Sequence, residues 1–325
     1  MSLLKARLSY AAGGLVVASL AACNPFGLPS TRALENGVES MLTSGKSYEM
    51  AGEYTADGVR WTLDMQVVRP DRRHLKVSSG TEDVEAIVIG HTAYFRGQNF
   101  LRKHLGSDPV SQNVAKVAGN SWWQDQVGLV PNLPDITDGA TFRSNFLGSA
   151  VTSRADNQSV GGIDAVRLSG SRADVFIQSA APYRLLRVRL QDGVVVDGVA
   201  AADLRFSNVD HDFAIAAPPD VIDFGNLSTL PPVYTVVSVD TSQCGSPCVV
   251  SAKLKNVGGM TGARAASTVT FTMTDPVSKQ ALGSCTATVQ PDVGYNSTTT
   301  VSCTINVRPV NGATIAATAE NPGRS

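Results

Sequence analysis

From residue 30 onward the chain carries two hydrophobic periods in turn. Leu34, Val38, Met41 and Leu42 recur at i, i+4, i+7 and i+8, the one-face spacing of an amphipathic helix. Ser30 or Thr31 is placed to cap that helix and Gly45 to end it. The period then drops to two. Tyr48, Met50 and Tyr54 alternate with Glu49 and Glu53, and Val59, Trp61, Leu63, Met65 and Val67 alternate with Arg60, Thr62, Asp64 and Gln66. Asp57-Gly58 between these runs is a hairpin turn signal. Further strands are predicted over 72–79, 83–89 and 92–96, then over 164–170, 173–178, 184–190 and 202–209. Between 100 and 150, Pro109, the pair Trp122-Trp123, Pro131 and Pro134 predict short helices and loops.

Prolines mark a boundary. Pro218-Pro219 and Pro231-Pro232, with Gly225 and Asn226 between them, predict a closing strand and a linker over 226–233. Beyond it, strands are expected at 233–239, 247–255, 266–274, 283–290, 297–306 and 313–319. Short strands at this spacing, rich in Ser and Thr and split by Gly, Pro and Asn, predict a small β-sandwich over 234–325. The fold class is therefore mainly β. An α+β first domain over 31–225 precedes the sandwich.

Long alternating strands make one apolar face and one wet face. In the first domain one helix and a few short middle segments must cover the apolar face of about nine strands. Incomplete coverage leaves a concavity that takes an apolar ligand. The competing arrangement is a fully packed core, in which Trp61, Met65, Trp122 and Trp123 only fill space.

Residues 1–22 read as a signal peptide. Lys5 and Arg7 are followed by an uncharged run from Leu8 to Ala22, too short for a confident membrane span of ~20 apolar residues. The run ends in Leu20-Ala21-Ala22-Cys23, which resembles a bacterial lipobox; the alternative is an ordinary signal peptide followed by a chance cysteine. The resemblance implies cleavage before Cys23 and acylation of its thiol. Residues 23–30, with Pro25 and Pro29, then form a lipidated tether. Two acyl chains hold a protein stably at a bilayer. The expected location is the outer face of the cell membrane, or the outer membrane, facing periplasm or exterior.

The order of elements carries a family likeness over about 31–225. A lipobox, an amphipathic helix and long hairpin strands are followed by a Trp-bearing middle section. Next come Gly162-Ile163-Asp164-Ala165-Val166-Arg167-Leu168-Ser169-Gly170 and Asp174-Val175-Phe176-Ile177. Pro182-Tyr183-Arg184-Leu185 and Leu204-Arg205-Phe206-Ser207-Asn208-Val209-Asp210 complete the order. This resembles the LolA-like lipoprotein carriers and the related actinobacterial LppX/LprG-type lipoproteins. The resemblance implies an antiparallel half-barrel wrapped around helices, an apolar cavity for acyl chains, and no catalytic residues. Strand parity then makes Tyr48, Met50, Trp61, Leu63 and Met65 cavity candidates on the first hairpin. Leu186, Val188, Leu204 and Phe206 are the candidates on the later strands. The implied partner is a lipid or lipidated ligand. The family's soluble carrier is not lipid-anchored, which points to its lipoprotein relatives, and its arginine-centred latch has no evident counterpart here. The segment Ala252-Lys253-Leu254-Lys255-Asn256-Val257-Gly258 is similar to the strand-then-bend of immunoglobulin-like modules of the CARDB or FxLyD kind.

Charge and chemistry narrow the reading. With 27 Lys+Arg against 28 Asp+Glu, a net charge of −1 gives no global electrostatic case for nucleic acid. Only 4 His are available for a metal site, and no metal or cofactor is expected. Cys244, Cys248, Cys285 and Cys303 form an even set in an exported chain, which favours disulfides. Of the three connectivities, Cys244–Cys248 closing a loop around Gly245 and Pro247, with Cys285–Cys303 pinning two neighbouring strands, is favoured. A four-thiolate zinc site is the rival, although the second pair lacks the usual close spacing. No Gly-x-Ser-x-Gly, His-Glu-x-x-His, P-loop or Gly-x-Gly-x-x-Gly motif occurs. His211 lies between Asp210 and Asp212, but neighbours on a strand face opposite ways, so a loop or strand end is expected. Arg69-Pro70-Asp71-Arg72-Arg73-His74 reads as a solvated basic hairpin end that could touch phospholipid headgroups.

The expected function is a non-enzymatic envelope lipoprotein that binds acyl chains in its first domain and transfers them without a covalent step. Apolar burial, roughly 25 cal/mol per Å², would drive it. The alternative is an envelope sensor or regulatory binding lipoprotein that engages a membrane-protein partner through 234–325. A passive structural or adhesive surface protein is a third possibility.

Overall fold

The computed structural model describes residues 27–80, 82–130 and 133–324. The signal peptide and Cys23 lie outside these residues. The first helix, α1 (Thr31–Ser44), begins where the Ser30 hydroxyl accepts the Ala33 N–H at 3.2 Å and ends with the Gly45 N–H donating to Met41 O. Its apolar stripe is buried. The strands β1 (Ser47–Ala56) and β2 (Val59–Val68) are joined through Asp57 and Gly58, both at positive φ (50° and 75°), as a two-residue hairpin turn requires.

The meander continues through β3 (Arg72–Ser79), β4 (Glu82–Ile89) and β5 (Thr92–Arg96). Next come α2 (Gln98–Leu105), α3 (Pro109–Ala118), β6 (Trp123–Asp125), α4 (Pro134–Thr137) and α5 (Gly139–Phe146). The second half contains β7 (Val151–Val160), β8 (Ile163–Gly170), β9 (Ala173–Gln178) and β10 (Leu185–Leu190). It closes with β11 (Val195–Val196), β12 (Val199–Ser207) and β13 (Ile222–Asp223). All belong to one sheet ordered β13-β6-β5-β4-β3-β2-β1-β12-β10-β9-β8-β7, with β11 on β12. Pairing is antiparallel except between β13 and β6.

β7 and β6 are among the strands that escape the sequence pattern. β7 is the terminal strand of the sheet; lacking a partner on one side and a buried face, it shows no apolar alternation. Register shifts after Val151 and Ala155 roughen this edge, which discourages pairing with another chain. β6 is too short for a period to show, yet it takes Trp123 out of the predicted loop and into the core.

Cross-strand register builds the core in rows. Phe206 lies opposite Met50, Met50 opposite Met65, and Met65 opposite Leu75. The same row runs on through Ala86 and Phe95 to Trp123. A second row joins Val175, Val188, Leu204, Gly52 and Leu63. Gly52 belongs there because a Cβ would lie 2.0 Å from the Asp203 carbonyl oxygen. Helices cover this face. Leu34, Val38 and Leu42 of α1, Ile136 of α4, and Phe142 and Phe146 of α5 join the strand residues in one buried cluster. Gly139 lets α5 start against α1, since a Cβ there would meet Thr43 Oγ1 at 2.2 Å. Arg143 ties the two helices, donating to Glu39 at 2.7 Å and lying 3.4 Å from Glu35.

The opposite face is charged, with Asp64, Lys76, Glu85 and Arg96 in cross-strand order. Burial alone raises the Glu85 pKa, but hydrogen bonds from Arg96 and His74 (2.8 Å), together with their charges, outweigh it and hold the carboxyl below its ordinary value. The folded pKa is depressed, so the stability is present above the unfolded value near 4.5 and fades as pH falls through the folded one. Glu85→Gln is therefore expected to lose about 1–2 kcal/mol at pH 7. The difference from the parent should vanish in acid. Urea unfolding at pH 7 and below pH 4 checks it, and a pH-independent difference would contradict the assignment.

The C-terminal unit is a sandwich. One sheet orders β14 (Tyr234–Asp240), β15 (Cys248–Asn256) and β18 (Thr298–Ile305); the other orders β17 (Ala281–Thr288), β16 (Thr268–Thr274) and β19 (Thr314–Glu320). Cys244 pairs with Cys248 and Cys285 with Cys303, so the four thiols are engaged as disulfides. The second bond joins β17 to β18 and so crosses between the sheets, where sequence reasoning expected two neighbouring strands.

The chain end fastens the sandwich to the first unit. The Arg324 N–H donates to Val117 O of α3 at 3.2 Å, and its guanidinium reaches Asp220 O (2.9 Å) and Thr229 O (3.0 Å). At the hinge, the fully buried Asn256 side chain accepts from the Val233 and Gly258 N–H groups and donates to the Gly259 and Val293 carbonyls. The buried Asn321 pairs with both backbone groups of Tyr234.

Candidate binding site

The sheet face beneath the helices is filled. A void wide enough for an acyl chain leaves exposed area on the side chains that line it. Met50, Val188 and Leu204 are 0% exposed, Met65 2%, and Leu63 and Phe206 4%. Trp61 is partly buried against the same cluster. Leu186 is buried but stands outside it; a register shift between Leu185 and Arg187 turns Leu185 inward in its place. The filling comes from the middle segment, whose four helices bring Phe142, Phe146, Leu101 and Ile136 onto the face expected to be half bare. Trp123 adds a further layer, stacked on Phe95 (4.9 Å), His104 (5.4 Å) and Phe100 (6.0 Å).

One open space lies at the end of the half-barrel where α1 stops, β1 starts and β2 turns into β3. A cleft of about 880 Å³ runs from Ser44 and Lys46 past Arg69 to Asp210 and Asp212. Backbone contacts build its rim. The Arg69 N–H donates to Lys46 O at 2.9 Å, and the Asp210 N–H to Ser47 O at 2.8 Å. Asp210 accepts the Lys46 N–H at 3.0 Å and sits 3.5 Å from the Arg184 guanidinium. The Ser47 hydroxyl donates to the His211 carbonyl. Asp210, His211 and Asp212 thus lie on a loop beyond β12 and form part of the rim. A neighbouring cleft of about 410 Å³, sharing Lys46 and Asp210, extends along α1 to Gly37 and Pro182.

A smaller pocket of about 320 Å³ adjoins the first cleft through Arg69 and Pro70. It lies over the end row of the inner face, where register sets Tyr48 beside Val67, Val67 beside Arg73, and Arg73 beside Val88. Its other wall includes Thr137 of α4, whose carbonyl accepts from Arg69 at 3.3 Å. Burial raises the Tyr48 pKa, although the Arg69 and Arg73 charges pull it partly back. Burial also lowers the Arg73 pKa. Hydrogen bonds from Thr141 hold the Asp138 carboxyl low, with Arg69 contributing at longer range.

Of the nine cavity candidates, Tyr48 lines this pocket; the other eight line none of these three spaces. Sequence reasoning took Arg69–His74 as a solvated end and passed over Arg73. The missed signal was parity, because Arg73 shares the face of Leu75 and Val77.

Among the described residues, no helix is long and apolar enough to cross a membrane, and no group of three or more His, Cys, Asp and Glu side chains could hold a metal ion. No family model and no curated protein matches the chain. Among solved structures it is similar to MucB in complex with MucA(peri), with a TM-score of 0.29 and 12% identity over 91% of this chain and 99% of that one. It is also similar to the Pseudomonas aeruginosa MucA/MucB complex, with a TM-score of 0.27 and 12% identity over 91% and 99% of the two chains. These values describe a loose likeness of architecture.

Proposed function

We propose that the chain is a non-enzymatic envelope recognition protein, exported and held at the membrane through Cys23, that engages a membrane-protein partner instead of carrying acyl chains inside its sheet. One observation carries this reading: the face expected to enclose a cargo is filled by side chains at 0–4% exposure, such as Met50, Leu204 and Phe206. A cleft lined by charged residues opens at the rim instead. The Arg324 contacts across the linker support a two-part surface presented as one unit.

The test has two arms on the full-length protein. A photo-crosslinking residue at Lys46, on the cleft, and another at Tyr295, half exposed on the sandwich, should give a discrete adduct with one membrane protein in intact envelopes. Organic extracts of the purified protein, freed of its covalent anchor lipid, should carry no stoichiometric acyl lipid. Stoichiometric lipid in the extract, with no adduct at either position, would overturn the proposal and restore the carrier reading.

A further inference from the structure

We propose that the end of the sandwich far from the first unit docks on an anionic lipid surface, through the apolar tips Val277 and Val310 and the cations of Lys279 and Arg308. This goes beyond recognition of a protein partner and is tested apart from it.

The first ground is placement. Register brings three loops to one end of the sandwich. Asp240, Cys248 and Ile305 end one sheet there, and Thr274, Ala281 and Thr314 end the other. The joint with the first unit is at the opposite end, where Asn256 and Asn321 hold the backbone of Val233 and Tyr234. Segments 241–247, 275–280 and 306–313 therefore project away from it.

The second ground is what these loops expose. Val277 is 88% exposed, the most of any large apolar side chain among the described residues, and Val310 is 42% exposed. Single exposed apolar residues are ordinary on a surface. These two stand on loops that meet, since a Cβ at Gly312 would lie 3.6 Å from Pro276 Cγ. Each also follows a proline, Pro276 or Pro309, whose ring fixes the backbone before it.

The third ground is charge. Asp240 and Asp275 are turned to their own backbones. Asp240 accepts the Ser242 N–H at 2.8 Å, and Asp275 accepts those of Val277 at 2.9 Å and Ser278 at 2.7 Å. Lys279 and Arg308 are exposed, and neither is ion-paired among the described residues. The end thus presents outward cations beside apolar tips, the complement of an anionic headgroup layer over acyl chains.

Shape favours lipid over protein. A protruding side chain needs a matching pocket on a protein, whereas a bilayer interface yields around it. The loops are also set in advance: the Lys279 N–H donates to Asp275 O at 3.1 Å, and Cys244–Cys248 closes the neighbouring loop. Docking then orders little new chain. Two valines and two cations make a weak contact, of the kind that serves as a second signal beside an acyl anchor.

The full chain carrying Cys23→Ser, so that no acyl anchor contributes, is co-sedimented with vesicles of phosphatidylglycerol in phosphatidylcholine and with phosphatidylcholine alone. Association is expected with the anionic vesicles only, and it should fall as salt is raised. Val277→Asp should lower the partition coefficient about tenfold. Lys279→Ala and Arg308→Ala should lower it about fivefold each. All three change exposed side chains, so the unfolding midpoint should not move. Ile163 is 45% exposed on the first unit, and Ile163→Asp should bind as the parent does. The proposal fails if anionic vesicles take up no more protein than phosphatidylcholine, if the loop variants bind as the parent does, or if Ile163→Asp loses as much. A crosslinker at position 277 that captures a membrane protein while vesicles stay bare would overturn it in favour of protein docking. Such a failure leaves the partner reading standing, because that reading is tested at Lys46 and Tyr295, outside these loops.

Discussion

Replacing Trp123 with alanine should remove about 3–5 kcal/mol of stability, the range for truncating a large buried aromatic. The indole is fully buried and lies against four rings, those of Phe95, Phe100, His104 and Phe224. It also stands where the short β6 closes the sheet on β5 and receives β13 from the far side of the chain. Truncation therefore empties a stack and loosens the strand pairing that holds the approach to the linker. Trp123→Phe should cost much less, since a ring stays in the stack and the buried indole N–H, which has no partner, is gone. Urea unfolding followed by far-ultraviolet circular dichroism gives both values. A loss below about 1 kcal/mol for the alanine variant would show that the stack does not brace the sheet.

Asn256→Ala should be of similar size, about 3–5 kcal/mol, for a different reason. Four backbone groups depend on this one buried amide: the N–H of Val233 and Gly258, and the carbonyls of Gly259 (2.7 Å) and Val293 (2.6 Å). Alanine leaves all four unpaired at the joint between the two units. Asn256→Asp keeps the acceptor side and loses the donors, while burying a charge, so it should be no milder. The local signature is proteolytic: cleavage within 226–233 should accelerate in both variants, well before the sheet itself unfolds. Unchanged cleavage with unchanged stability would mean that the Arg324 and Asn321 contacts alone hold the joint.

Much of the fold was legible because its causes are local. The helix at Thr31–Ser44 follows from a 3.6-residue stripe and a serine cap. The hairpin at Asp57-Gly58 follows from positive φ, and the sandwich strands from short alternating runs. The Cys285–Cys303 pairing was anticipated from number and spacing, whereas its crossing between sheets was not, since spacing does not tell which sheet a strand joins. β7 stayed hidden because alternation appears only where one face is buried, and β7, at one end of the sheet, has no buried face.

The site was less legible than the fold. Alternation marks Tyr48, Met50, Leu63 and Met65 as inward, and they are inward. It says nothing about what lies opposite them. Whether an inward face is a wall or a cavity depends on the volume brought from elsewhere in the chain, here by Phe142, Phe146 and Trp123. Nor could Arg69 be placed, because its contact with Thr137 spans 68 positions.

The order of residues alone thus determined which side chains turn inward, where the helix and hairpins begin and end, and which cysteines could meet, since each depends on periods and turns of a few residues. Tertiary structure alone decided that the apolar sheet face is packed, that a charged cleft opens at its rim, and that Arg73, Arg69 and Tyr48 line one pocket. Those outcomes depend on distant segments meeting, and filled volumes and shared pocket walls exist only once they have met.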